Sequence, residues 1–134
     1  MKKIITYLLL TVLWMASACA QTSYEDVDVK GFSELIANPD VVVLDVRTAD
    51  EFNAGHIENA LNIDVNQSDF LDKAKAALSK DKTIAVYCRS GRRSAKAAEQ
   101  LSTEGYKAMN LAGGIVAWTR SNMPVTTDTC EVGD

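Results

Sequence analysis

Two short apolar runs constrain the fold of this chain more than any other feature of its sequence. Residues 41–44 read VVVL and residues 83–87 read TIAVY, and β-branched side chains dominate both runs. A strand that buries one face alternates apolar and polar side chains, whereas an unbroken apolar run is typical of a strand buried on both faces in a parallel sheet. Helical patterns separate the runs, so we predict an α/β domain with a mostly parallel central sheet and helices on both faces.

Weaker patterns predict the remaining elements. We expect an edge strand near residues 24–29, a strand that takes in Ile57 and residues 60–65, and a last strand over residues 109–111. The predicted helices have apolar residues at helical spacing, and these are Phe32, Leu35 and Ile36; Phe52; Phe70, Leu71, Ala74, Ala77 and Leu78; Ala95, Ala98 and Leu101; and Ile115, Val116 and Trp118. Reactive groups collect at the carboxyl ends of parallel strands, so Cys88 is expected at that edge of the sheet.

The first twenty residues have the three-part layout of a secretory signal peptide. Lys2 and Lys3 precede an apolar stretch at residues 4–15, and small residues follow at 16–20. The apolar stretch is shorter than the about 20 residues that a membrane span needs. We therefore predict a signal peptide over residues 1–20 and an exported, periplasmic protein.

Two kinds of processing fit this leader. Cleavage after Ala20 would release a soluble protein, whereas lipidation of Cys19 would anchor the protein to a membrane. The sequence favours the soluble form, because Ala16 stands where a lipoprotein box usually has leucine. The rest, residues 21–134, is expected to form one domain with a short C-terminal tail, since a chain of this length buries a core without disulfide staples.

Charge and cysteine content exclude several classes of partner and cofactor. The net charge is −4 at pH 7, which argues against nucleic acid and anionic membrane surfaces as partners. After cleavage the soluble chain keeps only Cys88 and Cys130, too few for a disulfide framework and without the spacing of metal ligands. We predict no bound metal and no cofactor.

One cysteine lies in a loop that favours a reactive thiol. The apolar run at residues 83–87 leads directly into Cys88, and Arg89, Arg92 and Arg93 follow it. Cysteine is often an inert core residue, but an inert thiol does not need three neighbouring arginines. A helix N-terminus, converging backbone N–H groups and nearby cations all lower the pKa of a cysteine. The pattern therefore indicates a nucleophilic thiolate beside an anion receptor.

Three separated segments carry further motifs, which are LDVR at residues 44–47 with EF at 51–52, GHI at 55–57 and ALNI at 60–63; CRSGRR at 88–93; and GY at 105–106 with LAGGI at 111–115 and Trp118. In order and spacing they resemble the N-terminal signature, the six-residue active loop and the C-terminal signature of the rhodanese sulfurtransferases. The resemblance spans roughly residues 25–124. Asn59 departs from it, since the family usually has glycine or proline there, and this affects a turn rather than the chemistry.

The resemblance implies a thiosulfate sulfurtransferase of the small single-domain type. Cys88 would attack the sulfane sulfur of thiosulfate or a similar donor, release sulfite and hold the sulfur as a persulfide. A thiol or cyanide, or a protein acceptor, would then take the sulfur. Two half-reactions through a covalent intermediate predict ping-pong kinetics.

The resemblance also implies the roles of the loop residues. The backbone N–H groups of residues 89–93 would cradle the sulfur, and the arginines would attract the dianionic donor. The expected substrate-binding residues are Arg89, Ser90, Gly91, Arg92 and Arg93. The expected support of the loop comes from Ser94 and from an ion-pair network of Asp45, Arg47 and Glu51.

Three other residues are assigned mainly structural roles. His56 is the only histidine, but an activated thiolate needs no base, and the resemblance makes its segment a turn. Trp118 is most simply a core residue. Cys130 lies in a polar tail, where two interpretations stay open: a spare thiol, or a resolving partner for Cys88 in an oxidising compartment.

Other functions are compatible with the same fold. Phosphatases and arsenate reductases use a longer loop with a cysteine-x5-arginine pattern, but here Ser94 stands six residues after Cys88. A six-residue loop should enclose a sulfur atom and crowd a phosphate, which disfavours this alternative. A redox-sensing binding module and a carrier of persulfide to one protein acceptor are the further alternatives. The presence of Cys88 argues against a noncatalytic module.

Overall fold

A computed structural model describes residues 24–128 as one parallel α/β domain. The predicted signal peptide, Cys19 and Cys130 lie outside these residues. Five strands pair in the order β1-β5-β4-β2-β3, and every pairing is parallel. The strands are β1 (Glu25–Val27), β2 (Val41–Asp45), β3 (Leu61–Asn62), β4 (Thr83–Tyr87) and β5 (Lys107–Leu111). The helices are α1 (Val29–Ile36), α2 (Ala49–Ala54), α3 (Phe70–Ala77), α4 (Arg92–Thr103) and α5 (Gly114–Arg120).

Helices cover both faces of the sheet and form two cores, as predicted. Buried residues of α3 and α4 pack against one face, including Phe70 and Leu101. Buried residues of α1, α2 and α5 pack against the other face, where Phe32 makes an edge contact with Trp118 at 6.0 Å between ring centroids. The indole of Trp118 also donates to the carbonyl of Pro124. Trp118 is therefore a core residue, as the sequence suggested.

The predicted strand over residues 60–65 is wrong in extent, because β3 contains only Leu61 and Asn62. Backbone contacts continue beyond β3, since the N–H groups of Ile63 and Val65 donate to the carbonyls of Asp45 and Val46 at 3.0 and 3.2 Å, but they do not form a regular ladder. The side-chain amide of Asn62 adds hydrogen bonds to the carbonyls of Asp45 and Arg47 at 3.1 and 2.9 Å. Asn59, the departure noted above, has a positive φ of 66°. Asparagine tolerates this conformation better than most residues, which explains why the turn forms without glycine.

The central strands β4 and β2 end side by side, so the loops that follow them share one edge of the sheet. Cys88 directly follows β4, and the short segment after it leads into α4. This placement agrees with the predicted site at the carboxyl ends of the strands. Within residues 24–128, no helix is long and apolar enough to cross a membrane.

Candidate active site

The site is centred on the sulfur of Cys88, which lies in the turn between β4 and α4 and is only 1% exposed. The backbone N–H of Gly91 donates to Sγ at 3.1 Å, and the hydroxyl of Ser94 donates to it at 3.2 Å. Gly91 has a positive φ of 98° and is the N-cap of α4. A residue with a side chain would be strained there, so the glycine lets the loop turn back over the sulfur.

This environment favours the thiolate form of Cys88. Burial raises the pKa of the thiol, but hydrogen bonds from the side chain and backbone of Ser94 and from the backbone of Gly91 and Ser90 lower it by more. The net pKa lies below the ordinary value, so more thiolate exists near neutral pH than for a free cysteine. Because the thiolate is the nucleophilic species, Cys88 is equipped for covalent chemistry.

The start of α5 fixes the loop from the other side. The N–H groups of Ile115 and Val116 donate to the carbonyls of Cys88 and Arg89 at 2.9 and 3.1 Å. A Cβ on Gly114 would lie 2.6 Å from the Cys88 carbonyl oxygen and closer still to that of Arg89. Sequence reasoning missed this role of Gly114, although the glycine pair before a helix was the signal that could have revealed it.

The three arginines of the loop differ in their partners, and the substrate-binding role predicted for Arg89, Arg92 and Arg93 stays a prediction. Arg93 forms two hydrogen bonds to the carboxylate of Glu51, at 2.8 and 2.9 Å. The Arg93 guanidinium lowers the pKa of Glu51 to about 2. Arg89 and Arg92 are exposed, and neither has an ion-pair partner among residues 24–128. Arg89 and Arg92 are therefore the loop arginines without an ion-pair partner in the described part of the chain, whereas Glu51 partly neutralises Arg93.

The expected support network also divides into separate parts. Glu51 forms an ion pair with Arg93 and caps α2. The buried pair of Asp45 and Arg47 is joined at 2.7 Å, and Arg47 has no ion pair with residues 88–94. Arg47 instead donates to the carbonyl of Gly55 and lies 5.7 Å from the ring of Tyr87. Asp45 and Arg47 therefore brace the segment beneath the site, and Ser94 is the predicted support residue that reaches Sγ.

The only histidine has a structural position. His56 is 1% exposed and stacks on Phe52, with its two ring nitrogens 2.9 Å from the carbonyl oxygens of Phe52 and Asp128. Neither nitrogen is therefore available to a substrate. In the described part of the chain, no group of three or more His, Cys, Asp or Glu side chains is arranged to hold a metal ion.

Comparison with known proteins agrees with this geometry. Residues 28–121 match the family described as "Rhodanese-like domain". The chain belongs to the rhodanese-like domain family.

Members of the family that resemble the chain include named sulfurtransferases. A "Sulfurtransferase" of Allochromatium vinosum is 34% identical over 102 residues, covering 75% of this chain and 92% of the relative. "Thiosulfate sulfurtransferase 18" of Arabidopsis thaliana is 39% identical, covering 63% of this chain and 71% of the relative. The crystal structure of a rhodanese-related protein from Thermoplasma volcanium has a TM-score of 0.71 and 36% identity, covering 78% of this chain and all of the other. This rhodanese-like chain is thus a homologue of sulfurtransferases.

Proposed function

We propose that this rhodanese-like protein is a sulfurtransferase that carries a sulfane sulfur on Cys88, with thiosulfate or a similar anion as the donor. The observation that carries the proposal is the hydrogen bonding of Sγ by Gly91 and Ser94, together with the lowered pKa of the thiol. Relatives named for sulfur transfer support it.

In the first half-reaction, the thiolate of Cys88 attacks the outer sulfur of thiosulfate. A new S–S bond forms while the S–S bond of thiosulfate breaks, and sulfite leaves with the electron pair. Arg89 and Arg92 attract the donor and the leaving sulfite, since both are exposed and unpaired among the described residues. The persulfide would lie within the same loop, where N–H groups stabilise its charge.

In the second half-reaction, an acceptor thiolate or cyanide attacks the outer sulfur of the persulfide. The S–S bond on Cys88 breaks and its electron pair returns to the thiolate, so the enzyme is regenerated. No general base is required in either step, which agrees with the position of His56 between two backbone carbonyls. The scheme predicts ping-pong kinetics with parallel double-reciprocal plots.

The direct test is thiocyanate formation from thiosulfate and cyanide, measured beside hydrolysis of an aryl phosphate. We expect thiocyanate formation, loss of the activity in Cys88→Ser and no phosphatase activity. Phosphatase activity without sulfur transfer would contradict the proposal. Correct folding of Cys88→Ser is checked by circular dichroism, so that loss of activity reports on the thiol.

We also propose that the protein is exported, on the strength of the leader pattern at residues 1–20. Cell fractionation followed by mass measurement should find a mature chain outside the cytoplasm that begins near Gln21. Labelling with radioactive palmitate that disappears in Cys19→Ala would instead show the lipidated form. A full-length chain in the cytoplasm would contradict export.

A further inference from the structure

A buried amide lies directly behind the reactive loop. Asn110 of β5 is 3% exposed, and its side-chain Nδ2 donates to the carbonyl of Gly91 at 3.3 Å and to a carboxylate oxygen of Asp26 at 2.9 Å. The sequence motifs gave no role to Asn110. The contact with Gly91 joins β5 to the residue whose own N–H reaches the sulfur of Cys88.

The carbonyl of Gly91 controls the direction of this N–H group. The N–H and the carbonyl of Gly91 lie in successive peptide planes that meet at one Cα, so a rotation at this residue changes their relative orientation. Glycine populates many backbone conformations, and here it must keep a φ of 98°. The carbonyl of Gly91 is held twice, by the N–H of Ala95 at 3.1 Å and by Asn110. Fixing the carbonyl limits the movement of the N–H away from the sulfur.

The hydrogen bonds of the Asn110 side chain favour a role in fixing the Gly91 carbonyl. One N–H of the amide is directed to Asp26 and the other to Gly91, so the carboxylate of Asp26 orients the amide. The amide oxygen is buried and has no hydrogen-bond partner among residues 24–128. A buried acceptor without a donor destabilises a fold, so an apolar residue would serve packing better. The arrangement is therefore explained by the loop rather than by stability.

We propose that Asn110 is a positioning residue that holds the Gly91 N–H on the Cys88 thiolate, and that Asp26 orients its amide. The role of the positioned thiolate in sulfur transfer rests on the function proposed above. The positioning itself concerns the thiol of the free protein and can be measured without any sulfur donor.

The test is the pH dependence of iodoacetamide alkylation of Cys88 in the full chain, followed by mass spectrometry of the peptide that contains it. In Asn110→Leu and Asn110→Asp, which both remove the amide donor, we expect the midpoint of the profile to move to higher pH. Alkylation near neutral pH should fall about three- to tenfold, because a smaller fraction of the thiol is ionised. At high pH the Cys88 thiol is fully ionised in every variant, so the alkylation rates should converge.

Two further variants keep the test informative. Ser102→Ala removes another buried polar atom without a partner, in α4, and should leave the profile unchanged. Asp26→Ala removes the group that orients the amide together with one exposed negative charge, so its profile is measured at high salt, where the lost charge is screened, and its midpoint should shift in the same direction by less. Parental midpoints in folded Asn110→Leu and Asn110→Asp would overturn the proposal. If neither variant folds, a parental midpoint in Asp26→Ala would overturn it. A shifted midpoint in a protein that transfers no sulfur would support the positioning and contradict only the proposed function.

Discussion

The loops that follow β4 and β2 begin at the same edge of the sheet. Each loop contains a buried polar group, but the two groups have different hydrogen-bond partners. After β2, the carboxylate of Asp45 is fully buried and is held by Arg47, whose Nη2 lies 2.7 Å away. After β4, the sulfur of Cys88 is almost as deeply buried, but its hydrogen bonds come from backbone N–H groups and a hydroxyl. A full charge lies within hydrogen-bond distance of the first group, whereas the hydrogen-bond donors to the second are neutral.

This difference separates a structural group from a reactive one. The backbone and guanidinium N–H groups of Arg47 donate to both oxygens of the buried Asp45 carboxylate, so this group is engaged in a structural ion pair. Neutral donors lower the pKa of the Cys88 thiol without forming a strong pair with it. The nearby cations Arg89 and Arg92 remain exposed, where an incoming anion can reach them. The four predictions that follow test this contrast.

The largest effect on stability is expected from breaking the buried pair. Arg47→Met leaves the carboxylate of Asp45 buried without its cation and should lower the free energy of unfolding by about 3–5 kcal/mol, measured by urea denaturation. The double variant Asp45→Leu with Arg47→Met should be less destabilised than the single one, since no charge stays buried. The free energy of unfolding of Cys88→Ser should lie within about 1 kcal/mol of that of the parent. If Arg47→Met and Cys88→Ser had equal free energies of unfolding, the two buried groups would not differ in their importance for stability.

The next effect concerns the glycine that lets α5 approach the loop. Gly114→Ala places a methyl group against the carbonyls of Cys88 and Arg89 and should cost about 1–3 kcal/mol of stability and at least about tenfold in sulfur transfer. Gly105→Ala is the matched control, because Gly105 also has a positive φ but its Cβ would meet only the side chain of Lys80, at 3.8 Å. If both variants lose the same activity, the loss reflects backbone strain and the close approach of α5 is not needed.

The exposed arginines should matter for the donor and little for the fold. Arg89→Gln and Arg92→Gln should each raise the KM for thiosulfate severalfold and change stability by no more than about 0.5 kcal/mol. The rise should shrink at high salt, because ions screen exposed charges. Arg120→Gln, an exposed arginine on the last turn of α5, is the control and should leave the KM unchanged. An unchanged KM in both loop variants would contradict the role of Arg89 and Arg92 in attracting the donor.

The smallest effect is expected from the pair of Glu51 and Arg93. The folded pKa of Glu51 is about 2, below its ordinary value of 4.5, so the pair contributes stability above pH 4.5 and loses it as the pH falls toward 2. The difference in unfolding free energy between the parent and Glu51→Gln should be about 1 kcal/mol or less near neutral pH. This difference in unfolding free energy should shrink as the pH falls from 4.5 toward 2. A difference that does not change with pH would show that the ion pair is not its source.

Local sequence predicted those features that depend on neighbouring residues. The cysteine, Gly91 and Ser94 stand within seven positions, so their meeting around one sulfur could be anticipated. Contacts between residues far apart in the sequence could not be anticipated in this way. Arg93 and Glu51 are 42 positions apart, and Asn110 and Asp26 are 84 positions apart. Arg93 and Glu51 meet because α2 and α4 follow the neighbouring parallel strands β2 and β4 at one edge of the sheet, and Asn110 and Asp26 meet because β5 pairs with β1. The sequence pattern alone therefore could not show that Arg93 is paired with Glu51 while Arg89 and Arg92 have no ion-pair partner among residues 24–128.

The measurement that tests the central claim most directly is the intact mass of the protein after incubation with thiosulfate and removal of excess donor. We expect the parent and Cys130→Ser to gain the mass of one sulfur atom, and cyanide to remove it with formation of thiocyanate. Cys88→Ser should gain nothing. An adduct of equal yield on Cys88→Ser, or none on the parent, would contradict the assignment of Cys88 as the residue that carries the sulfur.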